Sequence, residues 1–204
     1  MSVACHTSCP SNSTHAPRSS MTRPGSVCRT RADLIAASAN PHSPDTILFA
    51  TLLSAHNETH LLGLSCKQTA WLYERHFGGL AAPAASVLIC SEEHAAFIQS
   101  LSDFLLSHVA VSADITNAQC LATIIAHACL RPDHLWRDLG LGGRDDVTAM
   151  LDRYFPELVK RNTDGTRWKK FVARELALSM GLTPRPAPGC PGCEDFDFCF
   201  GARS

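Results

Sequence analysis

No run of apolar residues approaches the roughly 18 that a membrane span requires. The first twenty residues, MSVACHTSCPSNSTHAPRSS, hold no continuous apolar stretch, so a secretory signal is not expected either. Neither sign of charge is in excess. Eighteen Lys and Arg stand against 19 Asp and Glu, and this balance argues against a general nucleic-acid binder, which carries a marked basic surplus. Period-2 alternation and internal repeats are missing, and the sole strand candidate, Val87-Leu88-Ile89-Cys90, is too short to support a sheet. Catalytic signatures are missing as well: there is no G-x-S-x-G, no P-loop and no dinucleotide fingerprint. The carboxylates at 145, 146, 152 and 157 fall into no pairing that helical spacing would enforce. Substrate turnover of a conventional kind is therefore not indicated, and the expectation is a soluble protein that is not an enzyme.

Acidic residues are also absent before Asp33. Residues 1–32 are rich in Ser, Thr and Pro, carry arginines at 18, 23, 29 and 31, and show no apolar periodicity. A basic, disordered extension over 1–40 is expected. Cys5, Cys9 and Cys28 lie in it as incidental thiols.

From residue 41 to the end the pattern is that of one all-α, bundle-like helical domain, a size that fits a single core. Ser43-Pro44-Asp45 offers an N-cap, a proline at the first helical position and an acid in the first turn. Ser65 and Gln68 have capping-box spacing, and Gly78-Gly79 stops the helix that follows. Ser91 opens a helix with Phe97, Ile98, Leu101, Phe104 and Leu105 at three-to-four spacing. Residues 114–130 form the most apolar helix and are expected at the centre of the core. Short helices are expected over 132–140, over 144–154 and from Pro156. A last amphipathic helix runs from about 166 to 180. It carries Trp168, Phe171, Val172 and Leu176 on one side, with Arg167, Lys169, Lys170 and Arg174 decorating the rest.

Ten cysteines and ten histidines are the outstanding counts. Cys120 and Cys129 sit inside apolar helical patterns, where free thiols act as small hydrophobes. Without a signal sequence, a reducing compartment with a metal site fits better than a disulfide scaffold. That site is expected in the loop 182–201, where Pro184, Pro186, Pro188 and Pro191 prevent helix and hold the backbone extended. Cys190, Cys193 and Cys199 stand there as C-x2-C-x5-C. A C-x2-C pair in a Pro/Gly turn lets two thiolates reach one centre, and a third six residues on closes it. Thiolates suit zinc, copper(I) or iron–sulfur clusters. A zinc knuckle needs a fourth Cys or His, and none lies in the loop. A three-iron cluster, or a four-iron cluster with one non-thiolate corner, tolerates three cysteines. Cluster is preferred over zinc; a zinc-stabilised helical interaction module and a thiol redox protein remain the alternatives.

Taken together, HLWRDLGL (134–141), RYFPELVKRN (153–162), RWKKF (167–171) and the terminal C-x2-C-x5-C followed by Phe-Gly resemble the NifQ family, in the same order over residues 40 to 201. The resemblance implies a cytoplasmic protein of nitrogen-fixing bacteria that carries an iron–sulfur cluster. It also implies that the protein binds molybdenum and donates it for iron–molybdenum cofactor assembly on the NifEN scaffold with NifH. In the family the pattern is C-x4-C-x2-C-x5-C, so a fourth cysteine belongs at 185, where this chain has Arg185. Substitute ligands include Cys66, Cys90, Cys120, Cys129 and the cysteines of the extension. His134, Lys169, Lys170 and Arg185 are candidate contacts for molybdate or a partner. For His134 a capping role bonded to a backbone carbonyl is favoured, and for His127 a buried, hydrogen-bonded one.

Overall fold

The computed structural model describes residues 29–55, 62–83 and 90–201. Helix is the only regular secondary structure among the described residues, with no strand, and the all-α expectation holds. In chain order the helices are α1 (Arg31–Ala36), α2 (Pro44–Ser54), α3 (Cys66–His76), α4 (Glu92–Leu106) and α5 (Ile115–Ala128). After them come α6 (Leu135–Asp138), α7 (Arg144–Tyr154), α8 (Pro156–Arg161), α9 (Trp168–Ser179) and α10 (Phe196–Phe200). Residues 87–89 of the strand candidate Val87–Cys90, and residues 1–28 of the extension, lie outside the described residues.

Local chemistry sets the boundaries. Ser65 caps α3 in a reciprocal capping box with Gln68, and Asp114 caps α5 by accepting from the Thr116 and Asn117 amides. Pro44 and Pro156 occupy first-turn positions, where a missing N–H costs nothing. Helix α5 is the centre: nine of its residues are buried, from Asn117 to Ala128. It packs against α4 and α6, while α4 also meets α9 and α7 meets both α6 and α8.

Three expectations need correction. The extension is not structureless up to residue 40. Thr30 and Asp33 form a capping box that starts α1, and Leu34 buries itself against the core as α1 packs on α2. The terminal segment is not extended throughout. Once past the Pro184–Pro188 stretch, Cys190–Gly192 makes a 3-10 turn and α10 follows, because no proline stands after Pro191 to block it. Finally, Lys169 does not belong to a solvated face. It is only 6% exposed.

The terminal segment is anchored, and its glycines explain how. The Gly189 amide donates to the Cys129 carbonyl at the end of α5, 2.9 Å away. A Cβ on Gly189 would lie 2.0 Å from the Arg131 carbonyl oxygen, and one on Gly192 would lie 2.6 Å from the Pro132 Cβ. Only glycine permits this close approach. The cysteine-bearing turn is thereby laid directly on the 131–132 turn between α5 and α6.

Candidate metal centre

That docking closes a cleft of about 90 Å³ between the terminal segment, the start of α6 and the start of α9. Cys190, Cys193 and Cys199 all line it, together with His134, Arg167, Lys169, Lys170, Asp195, Phe196 and Phe200. The three thiols feel one another. Burial raises the Cys190 thiol above its ordinary pKa, opposed by the Ala187 backbone and Lys169, and Cys193 and Cys199 push it further up. Cys199 is raised by burial as well, against the pull of Arg167 and Lys170 and with a further push from Cys193.

Charge in the lining is one-sided. Arg144, Arg167, Lys169 and Lys170 line it with two carboxylates, Asp133 and Asp195; Lys169 is answered from behind by Asp138 and Arg167 by Asp195, so Arg144 and Lys170 carry the positive excess. The whole chain carries −1, so this surplus is local. Cationic walls favour whatever ionises the thiols and whatever anion enters beside them. Lys169 is held rigidly in that wall. Its Nζ donates to the Arg131 carbonyl at 2.7 Å and forms a buried ion pair with Asp138. Lys170 donates to the Cys199 carbonyl and lies over the Phe200 ring, 4.8 Å from its centroid. Arg167 stands over Phe198. Adjacent lysines thus hold the two halves of the site, one through the 131–138 turn and the other through α10.

His134 is the N-cap residue of α6, but its ring is not spent on a backbone carbonyl as expected. Nε2 meets Asp195 Oδ2 at 2.9 Å and Glu194 Oε1 at 3.7 Å. Nδ1 lies 3.2 Å from the Arg167 guanidinium, and the ring stacks on Trp136. Arg167 also pairs with Asp195 at 2.8 Å. Asp133, His134 and Glu194 offer donor atoms within 4.8 Å of one another at the rim. Arg137 already bridges both carboxylates of that group, at 3.2 and 2.8 Å.

The remaining candidates separate from the site. Arg185 is exposed and does not line the cleft, so its charge acts at most from outside. Cys66, Cys90 and Cys120 do not line it. Cys129 lies behind Cys190 and is fully enclosed, its thiol pushed up to about 12 by burial, with Cys190 among the groups raising it. His127 bonds the Thr123 carbonyl at 2.9 Å and serves the fold, as expected. Asp195 and Arg167 are partners that spacing does not single out as a pair, since 28 positions of sequence part them. The donor set of three thiols in one cation-walled cleft fits a thiolate-bound iron–sulfur cluster.

Known proteins share much of this chain's sequence. The NifQ family model matches residues 45–201. A NifQ homolog of Sinorhizobium fredii is 40% identical over 102 residues, covering 50% of this chain and 44% of that protein. NifQ of Azotobacter vinelandii is 43% identical over 83 residues, 41% of this chain and 43% of that protein. NifQ of Rhodobacter capsulatus is 30% identical over 142 residues, 70% and 77% respectively. The alignments with the first two relatives span less than half of their length. No solved structure matches the chain.

Proposed function

The chain belongs to the NifQ family, and from that membership and the cleft we propose that it is a molybdenum carrier for nitrogen fixation, not an enzyme. Cys190, Cys193 and Cys199 hold an iron–sulfur cluster of the three-iron or four-iron type. When bound, that cluster supplies sulfide-bridged iron onto which molybdenum is taken for donation to the iron–molybdenum cofactor assembly. Around it the chain's own side chains have distinct work. Arg167 and Lys170, with Lys169 and Arg144 in the wall, offset the charge of the thiolates and draw the molybdate dianion inward. Phe196 and Phe200 pack against one another at 5.1 Å over the cleft and limit water. Asp138 holds Lys169 in position. NifEN, with NifH, is the proposed acceptor in the cytoplasm.

The observation that carries this reading is the convergence of three cysteines, three and six residues apart in the chain, into one cleft with four cations. The test is purification without oxygen, followed by measurement of iron, acid-labile sulfide, molybdenum and zinc before and after incubation with molybdate. The expected protein is brown, binds iron and sulfide together, and gains molybdenum. The Cys193→Ser variant is expected to lose most of all three. A colourless protein with one equivalent of zinc overturns the reading and favours a zinc-stabilised interaction module.

A further inference from the structure

Three thiolates leave a four-iron cluster one ligand short, and Arg185, where the family resemblance implies a fourth cysteine, is exposed outside the cleft. We propose that His134 supplies the missing ligand through Nδ1, with Asp195 as its positioning carboxylate and Arg167 lying over the ring face. The inference rests on the cluster reading above and deepens it.

The hydrogen-bond partners of His134 fix its tautomer. Nε2 faces two carboxylates, Asp195 at 2.9 Å and Glu194 at 3.7 Å. Carboxylates only accept, so in the neutral ring the proton sits on Nε2 and is donated to Asp195. The lone pair is then on Nδ1. The Arg167 guanidinium nitrogen is almost equidistant from the two ring nitrogens, 3.2 Å from Nδ1 and 3.4 Å from Nε2, so it lies over the ring face and leaves the in-plane lone pair of Nδ1 open. Carboxylate to imidazole N–H, with the other nitrogen facing the metal, is the usual arrangement of a metal-binding histidine. Imidazole is also an accepted ligand of iron in place of cysteine in certain clusters.

The ring is held more firmly than the guanidinium above it. The Arg167 side chain is 36% exposed, whereas that of His134 is 14% exposed and held between Trp136 and Asp195. The ligand stays in place, with its Nδ1 lone pair not engaged by Arg167. Asp195 meets Nε2 and Arg167 at once. Rival donors are worse placed. Cys129 is enclosed and its thiol is pushed up to about 12. Asp133 Oδ1 accepts from the His134 amide and from Arg137, and carboxylate oxygen is a hard donor ill matched to sulfide-bridged iron. An imidazole corner is neutral and can be displaced, which suits a carrier that must accept and release cargo.

The test reconstitutes the full chain with ferrous iron and sulfide under argon, using protein labelled with nitrogen-15 histidine. Pulsed electron paramagnetic resonance in the paramagnetic oxidation state is expected to show one directly bound histidine nitrogen. His134→Ala should abolish that coupling and lower the iron retained against chelator. His134→Cys should restore iron retention without any nitrogen coupling. Asp195→Asn should weaken retention about 10–100-fold while the coupling persists. A wild-type cluster with no histidine coupling, or a coupling unchanged in His134→Ala, overturns the assignment while leaving the three-cysteine reading intact. Wild-type protein that takes up no iron overturns both.

Discussion

Two clusters in this molecule are built from nearly the same side chains, and they behave differently. In the first, between α2, α3, α5 and α7, His76 meets Asn117 at 2.9 Å and Thr46 at 3.4 Å, among the rings of Phe49, Trp71 and Phe77. Asn117 reaches Asp45 at 3.5 Å, and Asp45 accepts from both Tyr154 and Arg153 at 2.7 Å. One cation answers one carboxylate there, and the neutral groups satisfy each other. In the second, around His134, the ion pairs Lys169–Asp138 and Arg167–Asp195 leave Arg144 and Lys170 in surplus beside three thiols, of which burial holds Cys190 and Cys199 toward the protonated form. A closed set of partners stabilises a fold. An open set with surplus positive charge leaves work for a ligand.

The largest expected effect probes the border between the two kinds of site. Asp138→Ala leaves the Lys169 ammonium buried without its carboxylate and should cost about 3–5 kcal/mol, read from urea unfolding. Asp195→Ala, in the open cluster, removes a carboxylate that is 32% exposed and should cost under about 1 kcal/mol. Equal losses from the two would erase the distinction. Next in size, Tyr154→Phe removes a hydrogen bond to a carboxylate in the closed cluster and should cost about 1.5–3 kcal/mol while leaving bound iron unchanged.

The smallest effect is in pH. Burial holds His76 below the ordinary histidine range, against the opposing hydrogen bond to Asn117 Oδ1, and burial lowers His127 likewise. A histidine whose folded pKa is depressed takes up protons more readily when unfolded. Its contribution is therefore complete above the unfolded pKa of about 6.5 and is lost as pH falls below it. Burial raises the Asp45 carboxyl, but the hydrogen bonds from Tyr154 and Arg153 and the Arg153 charge outweigh it and bring the group below its ordinary value. That stability is lost only in stronger acid. Melting temperature should stay level from about pH 8 to 7, then decline from about 6.5 downward, and His76→Gln should flatten the first part of the decline. A melting temperature unchanged between about pH 7 and 5 would contradict the closed-cluster description.

Much of the architecture is legible in the chain itself. Ser65 with Gln68, Asp114 and Pro156 carry their instructions within four residues, and the run 114–130 declares its burial through composition. Cys190, Cys193 and Cys199 are legible as a set because they are near neighbours in the chain. Spacing misplaces Lys169 because its partner, Asp138, is 31 residues away and helical periodicity gives a lone lysine no reason to be buried. The grouping of His134, Asp195 and Arg167 escapes sequence reasoning for the same cause. Arg185 stands where the resemblance implies a cysteine, yet it lies exposed in a proline-rich stretch that does not line the cleft.

The amino-acid order alone determined helix, cap and turn, and it placed three sulfurs within ten residues, because those properties depend on neighbours along the chain. Which carboxylates His134 meets, which lysine is withdrawn from water, and that Arg144 and Lys170 are left in positive surplus beside the thiols were decided only when α6, α9 and the terminal segment packed together. Electrostatics and hydrogen bonding act through space, over a few ångströms, between residues that the sequence keeps far apart.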